Sequence, residues 1–460
     1  MDVAISLPLN KQKLAMRQHV TDGMDIISVL PEEVLHYILS FLPMKDIVRT
    51  SLLSKRWKYK WKSNPRYDFD AMSDDFKNNR SQGMEMSLQR SVHQVLSCDN
   101  SDCIEKFRLR LRGSVIESDV CRWISNAVKR KVQELDISLR LGKRFPLPHI
   151  LFTSESLITL KLEMRCALHI PRSICFPKLK SLYLSHAVFE DEKSLNLLFS
   201  GCPVLQELVI YCWYWETVEN VTVSLPTLRT LTIYYDPFCP KHLLGCAVNI
   251  SARNLISLHC TSCLTINFSF CDLFSLVDAY IDVPSLWPSE GQKVALCAAK
   301  LLHGILRVKS LVLTEHATEV LRYLENFRAP LPMFSNLTHL KVELGWCDYI
   351  DTRLIYFLQK SPNLRSLEIP EGHKPRTHFN IVPHCLTSCL KFLRISYFKG
   401  DVGRVKFLEY FVKNAAVLER ITFLCSGDFL EDLEKQRDIS HLLQLSRGGL
   451  ASCLIEFIDG

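Results

Sequence analysis

Cys260 and Cys263 are separated by two residues, with His259 beside them and Cys271 further on, and thiols at that spacing can chelate zinc or form a redox pair. No second CxxC accompanies them. Strand alternation would turn Cys260 inward and leave the pair on different levels, so no metal site is expected. Other bond-making signatures are missing too: the chain holds no glycine-rich phosphate loop, no GxSxG elbow, no HExxH and no EF-hand loop. The expectation is a protein that is not an enzyme and needs no cofactor.

What the residues offer instead is apolar surface and charge. At 460 residues, 47% hydrophobic and 23% charged, the chain can bury a large core, and no long Gly, Ser or Pro linker divides it. Its eighteen cysteines are dispersed, and Cys166, Cys202, Cys260 and Cys385 sit among apolar neighbours, as reduced, buried thiols do. The weak apolar run Val3 to Leu9 is followed by Lys11, Lys13 and Arg17, the wrong order for a secretory signal, so the nucleus and/or cytoplasm is expected. Sequons at Asn79, Asn220, Asn249, Asn267 and Asn336 then read as chance matches. The longest uncharged run, Asn254 to Cys271, carries Asn, His, Ser and Thr throughout and reads as strand and loop, with no membrane span expected.

The net charge of +7 is concentrated. Met44 to Arg66 holds eight Lys/Arg against one Asp, an excess of seven, and Cys103 to Arg144 holds eleven against five acids. A basic patch of this kind suits an acidic partner or nucleic acid. Trp57 and Trp61 fall at an i, i+4 spacing that fits packing better than base stacking, so nucleic acid is not the expected partner.

These residues need elements to position them, and Met24 to Trp61 parses into three short helices. Pro31 suits a first helical position, and Glu32 and Glu33 favour the positive end of the helix dipole. Val34, Leu35, Ile38, Leu39 and Leu42 form an apolar stripe that Pro43 ends, and the periodicity assigns Val34, Leu35 and Ile38 to the core. Asp46 opens a second helix, and Ser54 can cap a third from Lys55 onward. So small a unit must lean on a partner or on the rest of the chain.

Residues Leu30-Pro31, Ile38 to Pro43, Lys45-Asp46, Ser51 to Trp57 and Trp61 resemble the F-box, particularly that of plant F-box, leucine-rich-repeat and FBD proteins; Tyr59 departs from the pattern, which has an aliphatic residue there. The resemblance implies binding to a Skp-family adaptor, and through it to cullin and RING subunits. It implies contacts from Leu30, Pro31, Leu39, Leu42, Val48, Leu53 and Trp57, with Leu30, Pro31 and Trp57 favoured as interface. Skp-family adaptors are acidic, so Lys55, Arg56, Lys58, Lys60 and Lys62 become a basic face that steers association.

Behind this module one pattern recurs: an apolar residue, two spacers, Leu, one spacer, an apolar residue. Clear copies start at Leu157, Leu179, Leu205, Leu228, Leu337, Leu364 and Leu390, and weaker ones at Ile104, Val132, Leu255, Leu276, Val308 and Leu418. Spacings run from 21 (Leu255 to Leu276) to 32 (Leu276 to Val308), which brackets the leucine-rich-repeat period. The last two apolar residues of each copy should point inward from a strand and the residue between them outward. Helical returns are expected at Asp191 to Ser200, Asp351 to Lys360 and Lys406 to Lys413. The outward residues Lys161, Tyr183, Val209, Thr232, Lys341, Glu368 and Arg394 are the candidate target-binding face.

Ile381 to Cys425 resembles the FBD domain, with Val382-Pro383-His384-Cys385-Leu386, Leu390, Tyr397, Gly400 and Leu408 to Ala415; Arg447 to Phe457 resembles its final strand. Phe379 stands where that family often has Trp. The expected organisation is α/β: a flexible tail over 1–23, a three-helix F-box over 24–70, a leucine-rich-repeat solenoid of parallel strands with helical returns over 71–370, and an FBD region over 371–460 that continues it. The expected function is a non-catalytic, substrate-recognising adaptor of a Skp-cullin-F-box ubiquitin ligase with a protein target. Two alternatives stand: a repeat scaffold whose helices only cap the solenoid, and an F-box receptor for a small molecule.

Overall fold

The structure is a computed structural model that describes residues 30–42, 44–57, 64–70, 89–93, 95–96, 103–112, 116–140, 145–164, 166–168, 170–189, 191–211, 220–234, 247–261, 266–283, 291–314, 317, 321, 324, 331–343, 352–371, 381–399, 408–425, 427–446 and 453–459. The expected tail over 1–23 lies outside the described residues, as do Tyr59, Trp61, Phe379 and Gly400. Among the described residues, fifteen parallel strands lie side by side in chain order. They are β1 Arg66–Asp70, β2 Lys106–Arg112, β3 Glu134–Arg140, β4 Thr159–Glu163, β5 Ser181–Ser185, β6 Glu207–Tyr211, β7 Thr230–Tyr234, β8 Ser257–Thr261, β9 Asp278–Asp282, β10 Ser310–Leu313, β11 His339–Val342, β12 Ser366–Pro370, β13 Phe392–Phe398, β14 Arg420–Cys425 and β15 Leu454–Asp459.

Each of the strands β2 to β14 begins two residues after one of the repeat starts, and the reason is local. The leading apolar residue is buried and closes a tight turn, as where the Leu228 N–H donates to the Leu225 carbonyl at 3.1 Å and that of Leu255 to Ala252 at 3.0 Å. The chain then enters its strand in register. Backbone bonds at 2.8 Å from Lys180 to Ile158, Gln206 to Lys180, Arg229 to Gln206 and Ile256 to Arg229 extend the ladder ahead of the strands. Alternation does the rest: Leu160 and Leu162 are buried while Lys161 between them is exposed. Strand β1 was not anticipated; its sequence Arg-Tyr-Asp-Phe-Asp lacks the Leu-x-x lead, and only Tyr67 and Phe69 turn inward.

Among the described residues two helices, α1 Glu32–Ser40 and α2 Met44–Thr50, precede β1. The first begins one residue later than expected, with Pro31 at its cap position, and the second two residues earlier, with Asp46 inside its first turn. Where a third helix was expected from Lys55, the described residues 55–57 form a turn, the Trp57 N–H donating to Ser54 at 3.1 Å. Leu35, Leu39, Met44, Ile47 and Trp57 are buried, and α2 packs on β1.

The returns between strands are of two kinds. Helices α3 Glu117–Lys129, α4 Glu192–Ser200, α5 Gly291–Gly304, α6 Thr352–Gln359, α7 His384–Ser388, α8 Leu408–Asn414, α9 Gly427–Leu430 and α10 Leu433–Ser446 follow various strands. Among them α4, α6 and α8 fall where helical returns were expected. Asp191 caps α4 by accepting from the Ser194 N–H at 2.7 Å. In the middle repeats the chain returns as strands instead. Asn220–Ser224, Ala247–Ser251 and Asn267–Cys271 pair in parallel, because Val221, Val223, Val248, Ile250 and Phe268 alternate with polar residues. Helices α4 and α5 lie against the two outer strands of this small sheet. The sequon side chains of Asn220 and Asn267 are engaged there, Asn220 Nδ2 donating to Glu192 at 3.2 Å and Asn267 Oδ1 accepting from Lys300 at 2.9 Å. One core runs from the amino-terminal helices through the repeats to Leu443 in α10. Among the described residues no helix is long and apolar enough to cross a membrane.

Gly304 closes α5 so tightly on Phe270 that a Cβ would strike the ring, whereas nothing lies within 4 Å of a Cβ at Gly427. Gly304→Ala is expected to cost about 1–3 kcal/mol by overpacking, read as a lower denaturation midpoint, while Gly427→Ala should leave the midpoint near that of the parent.

Candidate protein-interaction surfaces

The first surface is made by what the amino-terminal helices leave uncovered. Val34, Tyr37, Ile38 and Phe41 recur at i, i+3, i+4 and i+7 along α1 and its end, and all are exposed, Tyr37 by 67% and Phe41 by 69%. Tyr37 and Phe41 meet edge to face at 4.8 Å. Val48, Leu52 at 85% and Leu53 at 61% add to them from α2 and the turn after it. Apolar side chains this exposed and this close in sequence mark a contact surface.

The expected adaptor contacts divide on burial. Pro31, Val48 and Leu53 are exposed, and Leu30 and Leu42 are partly buried against the core. Leu39 and Trp57, at 1% and 2% exposure, are core residues in this chain. Conversely, Val34 and Ile38, read as core, lie at the surface; only Leu35 is buried as expected. Of the basic face, Lys55 is exposed, while Lys58, Lys60 and Lys62 lie outside the described residues. Arg56 is a structural tie. Its guanidinium donates to the Leu30 carbonyl at 2.6 Å and pairs with Glu32 at 3.1 Å, holding the start of α1 to the turn that follows α2.

The second surface is the face of the long sheet turned away from the core. Lys161, Tyr183, Val209 and Thr232 stand opposite one another in register on β4 to β7, and Lys341, Glu368 and Arg394 on β11 to β13. One row contains all seven. It also contains Arg108, Asp136, His259, Tyr280, Val312 and Thr422, which occupy the same place in the weaker repeat copies. A second row, two residues further along each strand, holds Glu163, Ser185, Tyr211, Tyr234, Thr261 and Asp282. That row falls one place past the end of the six-residue pattern, which is why the pattern missed it.

The face is chemically zoned. At its amino end Lys106 pairs with Glu134 at 2.8 Å, and Arg108 lies 3.4 Å from both Asp68 and Asp136; burial pushes the Asp136 carboxyl up, against the pull of Arg110 and Arg108. At its carboxyl end Lys341 and Arg394 both pair with Glu368, at 3.4 and 3.5 Å. Between them the surface is aromatic. Tyr211 and Tyr234 stack at 4.2 Å and 2°, and His259 and Tyr280 at 4.0 Å and 12°. Burial, then the carboxylates of Glu343 and Asp282, push the Tyr280 phenol up. Cys260 points the other way, fully buried, its thiol pushed up to about 12 by desolvation. His259 and Cys260 thus lie on opposite faces, and Cys263 is outside the described residues. Among the described residues no cluster of three or more His, Cys, Asp or Glu could hold a metal.

Burial lowers the His259 pKa below that of the free ring, with Asp282 opposing. The neutral ring's contribution is therefore complete above about pH 6.5 and lost as pH falls through the lowered folded value. Melting temperatures taken on either side of that pH should fall less steeply on acidification for His259→Gln than for the parent.

Three family models match the chain in order. The one described as F-box domain matches residues 27–69, that of FBD-associated F-box protein, LRR repeats matches 120–268, and that of FBD matches 380–423. An F-box/LRR-repeat protein of Arabidopsis thaliana is 31% identical over 464 residues, covering 95% of this chain and 95% of its own. An F-box/FBD/LRR-repeat protein of the same plant is 31% identical over 458 residues, covering 94% and 100%, and another is 30% identical over 429, covering 89% and 92%.

Proposed function

The chain belongs to the plant F-box/FBD/LRR-repeat family, and from that premise we propose that it is the substrate-recognising subunit of a Skp-cullin-F-box ubiquitin ligase. The F-box family gives it an adaptor-type role in general. The observation that carries the finer reading is the exposed stripe of Tyr37, Phe41, Leu52 and Leu53. A Skp-family adaptor covers that stripe and brings the cullin and RING subunits with it. The outer face of the repeats holds a protein target, and the chain makes and breaks no bond itself; it raises the local concentration of a target lysine beside ubiquitin carried by another subunit. Its place of work is the nucleus and/or cytoplasm, in keeping with the free, buried thiols of Cys202, Cys260 and Cys385.

The scaffold reading draws on one observation, the packing of α2 on β1, which is what a cap would do. A cap's outer face, however, is polar, and this one is not. Exposed apolar stripes of this kind favour a partner.

Co-purification with a Skp-family adaptor tests the proposal. The parent should capture it, and Phe41→Asp with Leu52→Asp should weaken capture by roughly thirtyfold or more, as loss of a central interface residue does, with the melting temperature within a few degrees of the parent. Leu39→Asp should instead unfold the helices, because it buries an unpaired charge. Undiminished capture by the double variant, or no capture by a folded parent, would sink the adaptor reading.

A further inference from the structure

The two ends of the long sheet are finished differently. At the amino end α2 packs on β1, and the inward residues Tyr67 and Phe69 are buried. At the carboxyl end β15 lies last in the sheet, and among the described residues nothing pairs with its other edge. Its side chains show the lack. Ile421 and Phe423 of β14 are buried, whereas Ile455 and Phe457, which stand beside them in register, are only half-buried. Phe457 stacks on Phe423 at 4.9 Å, and no further strand follows on its other side. On the outer face of the same strand Leu454 and Ile458 are 49% and 42% exposed.

Edge strands in folded proteins are blunted by Lys, Pro or a bulge that stops further pairing. Strand β15, Leu-Ile-Glu-Phe-Ile-Asp, has none of these and holds register with β14 over all six residues. The Leu454 N–H donates to the Glu419 carbonyl at 3.0 Å, so Leu454, Glu456 and Ile458 turn their backbone groups toward β14. Ile455 and Phe457 turn theirs to the open side. A capping repeat has a polar outer surface, but this strand is apolar on both faces and offers hydrogen bonds along its edge, which makes it a template for another strand.

The order of its residues says which strand. Counted outward from Glu456, β15 reads Ile455 and Phe457, then Leu454 and Ile458, apolar at each step in both directions. A two-fold axis at Glu456 lays the strand antiparallel on a second copy of itself. Ile455 then stands opposite the second copy's Phe457 on the core side, and Leu454 opposite its Ile458 on the outer side. The backbone agrees with that register, because Ile455 and Phe457, whose N–H and C=O groups face the edge, become the hydrogen-bonded pairs. Only Glu456 meets its like, and Arg420 at 3.4 Å offsets its charge. Any extended segment would meet the same backbone groups; the near-palindrome of side chains is what singles out a second copy. We propose that β15 is a self-association edge, at which two copies of the chain join into a symmetric dimer whose long sheets run on as one. The association does not depend on the ligase role, which is carried at the opposite end of the sheet. It sets two outer faces on one particle, so a target with two binding segments is held more tightly than by either copy alone.

Analytical ultracentrifugation of the full chain between about 1 and 100 μM should show monomer passing to dimer, the range expected of an interface below the standard size. Leu454→Lys with Ile458→Lys, both exposed in the monomer, should weaken the dimer about tenfold or more, with the melting temperature of dilute protein near the parent's. Glu456→Gln, which removes the like charges at the axis, should tighten it about threefold. The register has its own readout. Under mild oxidation Glu456→Cys should give a dimer linked through the two introduced thiols, identified by mass spectrometry, because opposed residues of a non-hydrogen-bonded pair lie within disulfide reach. Ile458→Cys, displaced from the axis, should give no such link. A parent that stays monomeric over this range, a dimer indifferent to the two lysines or weakened by Glu456→Gln, or equal linkage from both cysteine variants would overturn the proposal. A monomeric parent whose edge takes up an unrelated extended peptide would overturn it too, and would give the edge to another protein's strand.

Discussion

A copy such as Leu228-x-x-Leu231-x-Ile233 presents three apolar side chains on one side of a strand and a turn, with nothing of its own to cover them. Stacking the next copy covers them and leaves that copy in the same need. The outcome of this repeated burial is one continuous core from Leu35 to Leu443, which is why the long sheet runs strictly in chain order. Parallel pairing in register follows from the same constraint, since a slip by one residue would exchange Leu231 and Ile233 for Thr230 and Thr232 in the core.

That constraint also separates stability from function. Inward positions are committed to apolar residues, mostly Leu, Ile, Val and Phe with Tyr67, Cys260 and Ala279 among them, so outward positions are free to vary at little cost to the fold. The outer face can therefore be zoned into charged ends and an aromatic centre. The amino-terminal helices show the same division in smaller form. They bury Leu35, Leu39, Met44, Ile47 and Trp57, with α2 packed on β1, and leave Val34, Tyr37, Ile38, Phe41, Val48, Leu52 and Leu53 on the outside.

Much of the architecture was legible because the spacing of apolar residues marks the strands β2 to β14, and the structure has a strand two residues after every repeat start. Three things were not. Strand β1 carries alternating charges in place of a leucine lead, and the middle returns, such as Asn220 to Ser224, have the alternation of strands rather than the period of helices. On the outer face, the clear copies led directly to Lys161, Tyr183 and Thr232, yet the weak copies supply His259 and Tyr280, and Tyr234 and Asp282 lie beyond the pattern's last position. In the helices, periodicity identifies the apolar stripe but not what covers it. Hence Val34 and Ile38 proved exposed, and Leu39 and Trp57 buried. Which side of so small a helical unit faces its own chain is decided by a long-range contact, here with β1, that local sequence does not encode.

The adaptor's seat on the exposed stripe is open to side-chain footprinting: hydroxyl-radical oxidation of the chain alone and with a Skp-family adaptor, followed at single residues by mass spectrometry. Tyr37 and Phe41, both largely exposed, should oxidise readily alone and become protected when the adaptor is added, while buried Trp57 stays protected in both. Oxidation of Tyr37 and Phe41 that is unchanged by a bound adaptor would contradict the account, and would place the adaptor on some other part of the molecule.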